Sequence, residues 1–188
     1  MDIEDIRQCV AKGQHIYSRH AEIERKADKL TFTQIREALL SGEILEQYPD
    51  TGRGESCLVV GFAGETPIHI VCGWLSEKVV SLPFMFPNRL SSLILGHEEE
   101  QVMNEETKKV QCPFCGGGYF EKRQIEYLYS YEDKYLLVPN TPVEICMECG
   151  MTYYDATVLE EIERRFFAIH QNDEEPDCYV QLPIAVYA

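Results

Sequence analysis

Cys112-Pro113-Phe114-Cys115 and Cys146-Met147-Glu148-Cys149 form two CxxC pairs, each followed directly by a glycine, Gly116 and Gly150. A CxxC turn sets two thiols on one side of a tight loop. Two such turns brought together build the tetrahedral four-thiolate cage that Zn²⁺ favours, with no position left open for a substrate. The glycines suit the turn, which needs a residue tolerant of φ > 0 where backbone amides approach the sulfurs. Redox dithiols and four buried core thiols are the competing readings. A redox CxxC comes singly beside a βαβ unit, so the doubled pattern points to one structural Zn²⁺ on Cys112, Cys115, Cys146 and Cys149. Cys9, Cys57, Cys72 and Cys178 have no such spacing and read as small, mainly buried thiols.

The elements that position these cysteines follow from periodicity and turn chemistry. Thirty residues separate the two pairs, a length suited to a β-hairpin, with 124–131 pairing with 135–138 across Glu132-Asp133-Lys134. After the second pair, Asp155 can cap a helix whose Val158, Leu159, Ile162, Phe166 and Ile169 share one apolar face. A run at 178–187 reads as a closing strand. Upstream, Ile3, Ile6 and Val10 mark a short helix that stops near Gly13, and a second helix follows Ser18. Thr31 to Gln34 is a capping box for a third, with Ile35, Ala38 and Leu39 inward and Gly42 as the stop. Runs at 43–48, 57–62, 68–74 and 78–86 alternate with turn residues and predict an antiparallel meander. The fold class expected is α+β, with residues 1–90 as one domain, 91–111 as a linker and 112–188 as the metal domain.

At 188 residues and 45% hydrophobic content the chain can bury a core. The net charge of −15 is lopsided: residues 1–90 carry 10 basic and 13 acidic side chains, and the remainder carry 7 and 19. An acidic second half repels phosphate backbones and is a poor unaided binder of nucleic acid. No apolar run approaches the ~20 residues of a membrane span, and Met-Asp-Ile-Glu-Asp lacks a signal-peptide pattern. Eight cysteines in that context suit a reducing cytoplasm.

Residues 112–187 carry CPFCGGG, then VPNTPVEICMECGMTYYDA, then the helix and a short valine- and proline-bearing run. This half resembles the N-terminal zinc domain of the MqsA antitoxin family, the YgiT-type zinc finger. The resemblance implies a structural zinc and a surface that binds a toxin. DNA binding in that family belongs to a separate helix-turn-helix domain with no counterpart here, so no DNA partner is expected. Residues 15–87, with Ser18-Arg19-His20-Ala21-Glu22, Gly42-Glu43-Ile44, Tyr48-Pro49 and Pro67-Ile68-His69-Ile70-Val71, are similar to a bacterial family of unknown function. Its members are remotely similar to MqsR/RelE-like toxins, which cleave RNA on a curved sheet. The order of the two halves mirrors a toxin followed by its antitoxin.

Cleavage of RNA through the 2′-hydroxyl needs an acid, a base and a cation beside the phosphorane. The candidates are His20 at a helix start and His69 on a strand, with Arg25, Arg53 and Tyr48 in support. His15 precedes the motif, and His97 and His170 lie outside it. The competing reading makes these histidines capping or core residues and Glu22 and Glu24 solvating carboxylates. Two functions therefore stand. One is a fusion whose zinc domain binds or restrains a toxin-like domain, with a second copy or a cognate toxin or antitoxin as further protein partner. The other is a latent, metal-independent endoribonuclease in residues 1–90. The slight negative charge of that segment favours the first.

Overall fold

The computed structural model describes residues 1–48, 54–81, 110–171, 173–181 and 183. Helices α1 (Ile3–Ala11), α2 (Arg19–Ala27), α3 (Phe32–Ser41) and α4 (Ala156–His170) pack with eight strands. These are β1 (His15–Ser18), β2 (Glu43–Tyr48), β3 (Ser56–Ala63), β4 (Thr66–Leu75), β5 (Lys78–Ser81), β6 (Phe120–Tyr131), β7 (Lys134–Cys146) and β8 (Thr152–Asp155). All eight belong to one sheet in the order β2-β3-β4-β5-β1-β8-β7-β6. Every pairing is antiparallel except β1 with β5. The fold is mixed α/β with a large, mostly antiparallel sheet.

Local chemistry explains most boundaries. Asp2, Ser18, Thr31 and Asp155 each cap a helix by accepting a backbone N–H, and Thr31 with Gln34 completes the expected capping box. The meander β2 to β5 forms with the predicted antiparallel pairing, and the part of its last run beyond Ser81 lies outside the described residues. Helix α3 lies directly on β3 because Gly61 has no side chain. A Cβ there would sit 1.8 Å from the Ala38 carbonyl oxygen. The hairpin of β6 and β7 is longer than predicted, with register running from Phe120↔Cys146 to Tyr131↔Lys134.

Three features differ from the sequence expectation. The segments 1–90 and 112–188, which composition divides into two domains, contribute strands to one sheet and side chains to one core. The join is β1, which pairs in parallel with β5 on one side and antiparallel with β8 on the other. Its four residues are all buried, so they show neither the alternation of a half-exposed strand nor a helical period. The run 178–187 does not form a strand over its described residues. Tyr179 and Val180 stand exposed, and an extended run with no ladder partner gains nothing from being straight. Of the linker, only residues 110 and 111 are described.

Side-chain alternation along β1 separates the two faces of the sheet. Tyr17 points into the main core with Ile6, Phe32, Ile35, Leu39, Cys57, Ile70, Tyr127, Tyr129, Leu159 and Phe166. Ile16 points the other way, into a smaller cluster with Leu75, Val80, Cys112, Cys146, Met151 and Tyr153. Cys57 and Cys72 are buried as expected, Cys9 is partly so, and Cys178 is exposed. His15 is a core residue: its Nε2 meets Ser81 Oγ at 2.8 Å and its ring packs on Tyr17.

Two outcomes follow. Gly61→Ala should destabilise the fold by ~1–3 kcal/mol, since α3 must lift off β3; an unchanged urea midpoint would contradict the close approach. Burial, partly opposed by Asp155, holds the His15 imidazole down at about 3. The unfolded chain therefore takes up a proton below its ordinary value near 6.5 that the folded chain refuses. The stability involved is complete above pH 6.5 and declines by roughly 1.4 kcal/mol per unit as pH falls towards 3. His15→Gln should remove that slope from denaturation curves between pH 6.5 and 4.5, relative to the parent chain.

Candidate metal centre and the joint beside it

The four cysteine sulfurs lie within 4.8 Å of one another. Cys112 Sγ is 3.8 Å from Cys149 Sγ, and Cys115 Sγ is 3.6 Å from Cys146 Sγ. A tetrahedral ion with Zn–S bonds of ~2.3 Å requires sulfurs ~3.8 Å apart, so the cage has the span of a four-thiolate metal site. No pair is closed as a disulfide. Each CxxC turn is tied by its own backbone: Gly116 N–H donates to Cys112 O at 2.7 Å, and Gly150 N–H to Cys146 O at 2.8 Å. Both glycines sit at positive φ, 80° and 73°, the conformation the spacing predicts.

The two turns are also tied to each other. Met147 N–H donates to Tyr119 O at 3.0 Å, and Gly118 N–H to the Glu148 carboxylate at 3.1 Å. Cys112 and Cys146 are fully buried, while Cys115 and Cys149 face solvent. On the buried side Tyr153, from β8, places its hydroxyl 3.0 Å from Cys112 Sγ. On the exposed side the Phe114 ring stands edge-on to His20, 5.6 Å between centroids. The first CxxC turn thus rests on the first turn of α2.

Beneath α2 lies a buried polar network that joins the two segments of the chain. Arg25 is fully buried, and its Nε and Nη2 donate to the Glu22 carboxylate at 2.7 and 3.1 Å. Its Nη1 donates to Leu30 O at 2.6 Å. The guanidinium is held between the rings of Phe32 and Tyr129, 4.4 and 4.9 Å from their centroids, where desolvation strengthens the cation–π attraction. Tyr127 on β6 donates its hydroxyl to Glu22. Lys26 reaches both Glu22 and Leu128 O. Glu163 on α4 is the counterpart: it accepts from Phe32 N, Thr33 N and Tyr129 Oη, at 2.6, 3.0 and 2.7 Å. Its charge sits on the positive end of α3. Burial, and next the nearby Glu22 or Glu163 charge, pushes the Tyr127 and Tyr129 hydroxyls well above the usual phenol range. Both remain protonated donors.

The residues proposed for RNA cleavage occupy separate places. His20 is exposed on α2 against Phe114. His69 sits on β4 opposite Val60, with a buried Nδ1 that has no hydrogen-bond partner among the described residues. Strand β5 lies between β4 and β1, the strand that leads into α2 and His20, and no hydrogen bond links the two imidazoles. Tyr48, at the end of β2, donates to Glu46, and burial with that bond pushes its phenol up to about 12. Arg53 lies outside the described residues, as does His97. Arg25 faces the core rather than solvent, so its cation is spent on Glu22 and two rings. Glu22, expected as a solvated carboxylate, is buried for the same reason.

Residues 17–80 match the family described as a domain of unknown function, DUF4258. The match begins within β1 and ends within β5, the two strands that pair in parallel. No curated protein and no solved structure matches the chain. No helix among the described residues is long and apolar enough to cross a membrane.

Sequence reasoning found the four thiols and missed Tyr153 and Glu163. The first tyrosine of the Tyr-Tyr-Asp run, three residues past Gly150, was the available signal for Tyr153. Glu163, in the middle of a helix with charged neighbours, offered none.

Cys146→Ser should abolish stoichiometric metal binding, measured by elemental analysis of the purified chain. Structural zinc supplies on the order of 10 kcal/mol of apparent binding free energy in small domains. Because Cys112 and Cys146 pack with Ile16, Val80 and Tyr153, amide-exchange protection should fall in β8 and β1 as well as in the cysteine turns. Loss confined to the turns would show that the cage is decoupled from the sheet.

Proposed function

We propose that the chain is a toxin–antitoxin-type fusion: an MqsA/YgiT-like segment, 112–188, holds one structural Zn²⁺ and restrains a RelE/MqsR-like segment, 1–90, in the cytoplasm. The observation that carries this reading is how β8 meets β1. Among the strands that the DUF4258 match spans, β1 lies at one edge, and the cysteine-bearing segment extends that edge with an added antiparallel strand, Ser18 opposite Tyr153 and Ile16 opposite Asp155. Strand addition of this kind is a recurring mode of protein recognition. The covered surface is unusual for a plain fold interior, since it holds the Glu22–Arg25 pair, a costly thing to desolvate. Phe114 of the first CxxC turn also rests on His20, the candidate acid or base nearest the joint. Restraint in this reading is occupation of the edge and of α2.

The open groove of about 740 Å³ on the Ile16 face fits an interaction module better than an RNA channel. Its cations, Lys78, Lys122 and Arg123, each face an acid, Asp155, Glu144 and Glu121 respectively. A phosphate chain would have to displace those carboxylates. A latent endoribonuclease using His20 and His69 is the second reading, and the observation in its favour is that His20 is exposed at a helix N-terminus, where anions are stabilised.

The test uses the full chain with a protease site inserted between residues 96 and 106. After cleavage the halves should co-elute on gel filtration at low salt and in ~1 M salt, because a strand ladder and a buried network are screened little. Separation of the halves would sink the restraint reading. Urea-separated and refolded halves would then be assayed on a long RNA. Cleavage by the first half that is lost in His20→Ala and silenced by the second half would establish both readings together.

A further inference from the structure

The Tyr153 hydroxyl is in an unusual position for a buried phenol. The residue is 2% exposed, and among the described residues its hydroxyl has a single hydrogen-bond neighbour, Cys112 Sγ at 3.0 Å. Either atom could donate if the cysteine were a thiol. A metal-bound cysteine is a thiolate with no proton to give, so within a loaded cage the phenol must be the donor and the sulfur the acceptor. A buried hydroxyl with no partner is destabilising, and the thiolate, a stronger acceptor than a thiol sulfur, is the group that satisfies it. The geometry around the bond is rigid on both sides. Tyr153 is paired through its backbone to Ser18 on β1 and to Glu144 on β7, and its ring packs on Phe120. Cys112 is fully buried and its N–H is bonded to Gly117 O at 2.7 Å.

We infer that Tyr153 is a positioning residue of the metal centre, its hydroxyl donating to the Cys112 thiolate and thereby coupling metal occupancy to the β8–β1 joint. Hydrogen bonds to a ligand sulfur orient it and draw charge from it, which eases the burden of a four-thiolate site of net −2 on its buried side, where Cys112 lies. The same tyrosine lies opposite Ser18, the residue that caps α2. A change at the sulfur is therefore one side chain away from the helix that carries His20, Glu22 and Arg25. Tyr154, the next residue, faces the other side of the sheet and packs on Tyr127; it has the same hydroxyl without the sulfur.

The inference rests on the metal reading, and the two fail in different ways. Tyr153→Phe and Tyr154→Phe would be made in the full chain and titrated with Zn²⁺ against a chelator, then with Co²⁺ for its sulfur-to-metal charge-transfer band. Tyr153→Phe should weaken metal affinity ~10–100-fold, the range for losing a partner of a ligand, and move the charge-transfer band to lower energy as the sulfur becomes more electron-rich. Tyr154→Phe should leave the band where it is. Parent-level affinity and an unmoved band in Tyr153→Phe would overturn the inference while leaving the metal site standing. A parent chain that binds no metal would overturn the metal reading itself. Should Tyr153→Phe not fold, the ¹¹³Cd-loaded parent chain decides: the Tyr153 hydroxyl proton should exchange slowly and couple to cadmium, and exchange at the solvent rate would overturn the inference.

Discussion

Four residues, His15 to Ser18, hold the molecule together. The β1 strand has β5 on one side and β8 on the other, so without it the eight-stranded sheet falls into a four-stranded piece and a three-stranded piece. A strand so short contributes few backbone hydrogen bonds, and its weight comes from what it buries. Tyr17 is the floor of the helix-side core, and Ile16 is packed into the cluster that contains Cys112 and Cys146. The cysteine cluster and the main core thus lie on the two faces of one strand.

The second dependence is electrostatic. Arg25 and Glu22 are a fully desolvated ion pair, and such pairs seldom add net stability, because the hydration lost by both charges is comparable to the attraction regained. They do penalise any arrangement in which only one partner is satisfied. Tyr127 and Tyr129, from the hairpin between the CxxC turns, complete the set, with Glu163 fixing Tyr129 from above. A foreign hairpin without hydroxyls at these two places would leave a buried carboxylate short of donors. The network therefore fixes the placement of α2 against this hairpin more than it adds net stability.

What was legible in the sequence was what is local. Thr31 and Gln34 cap one another three residues apart, and each CxxC turn is closed by its own glycine. The hairpin could be read because its strands alternate and meet at a short polar turn. The rest depends on partners far along the chain. Tyr127 and Glu22 are 105 residues apart and Phe32 and Glu163 are 131 apart, so nothing near Glu22 or Arg25 marks them as interior. Arg25, in the last turn of α2, looked like a phosphate ligand because an arginine on a short helix usually faces solvent. Only the two aromatic rings that enclose it reverse that expectation. The β1 strand escaped for a related reason: buried on both faces, it carries no period.

The position of β8 near the far end of the chain has a consequence for how the protein is made. During synthesis, the segment that ends in β5 leaves the ribosome before any residue of β8 exists. At ~5–20 residues per second, the 131 residues between Phe32 and its hydrogen-bond partner Glu163 take on the order of ten seconds to translate. Within that interval β1 has an open edge until β8 is made, the charged pair awaits its tyrosines, and the first turn of α3 keeps its Thr31–Gln34 cap but lacks the Glu163 carboxylate. Newly made molecules consequently pass through a brief period in which the first segment is uncovered, and stalled or truncated translation would prolong it.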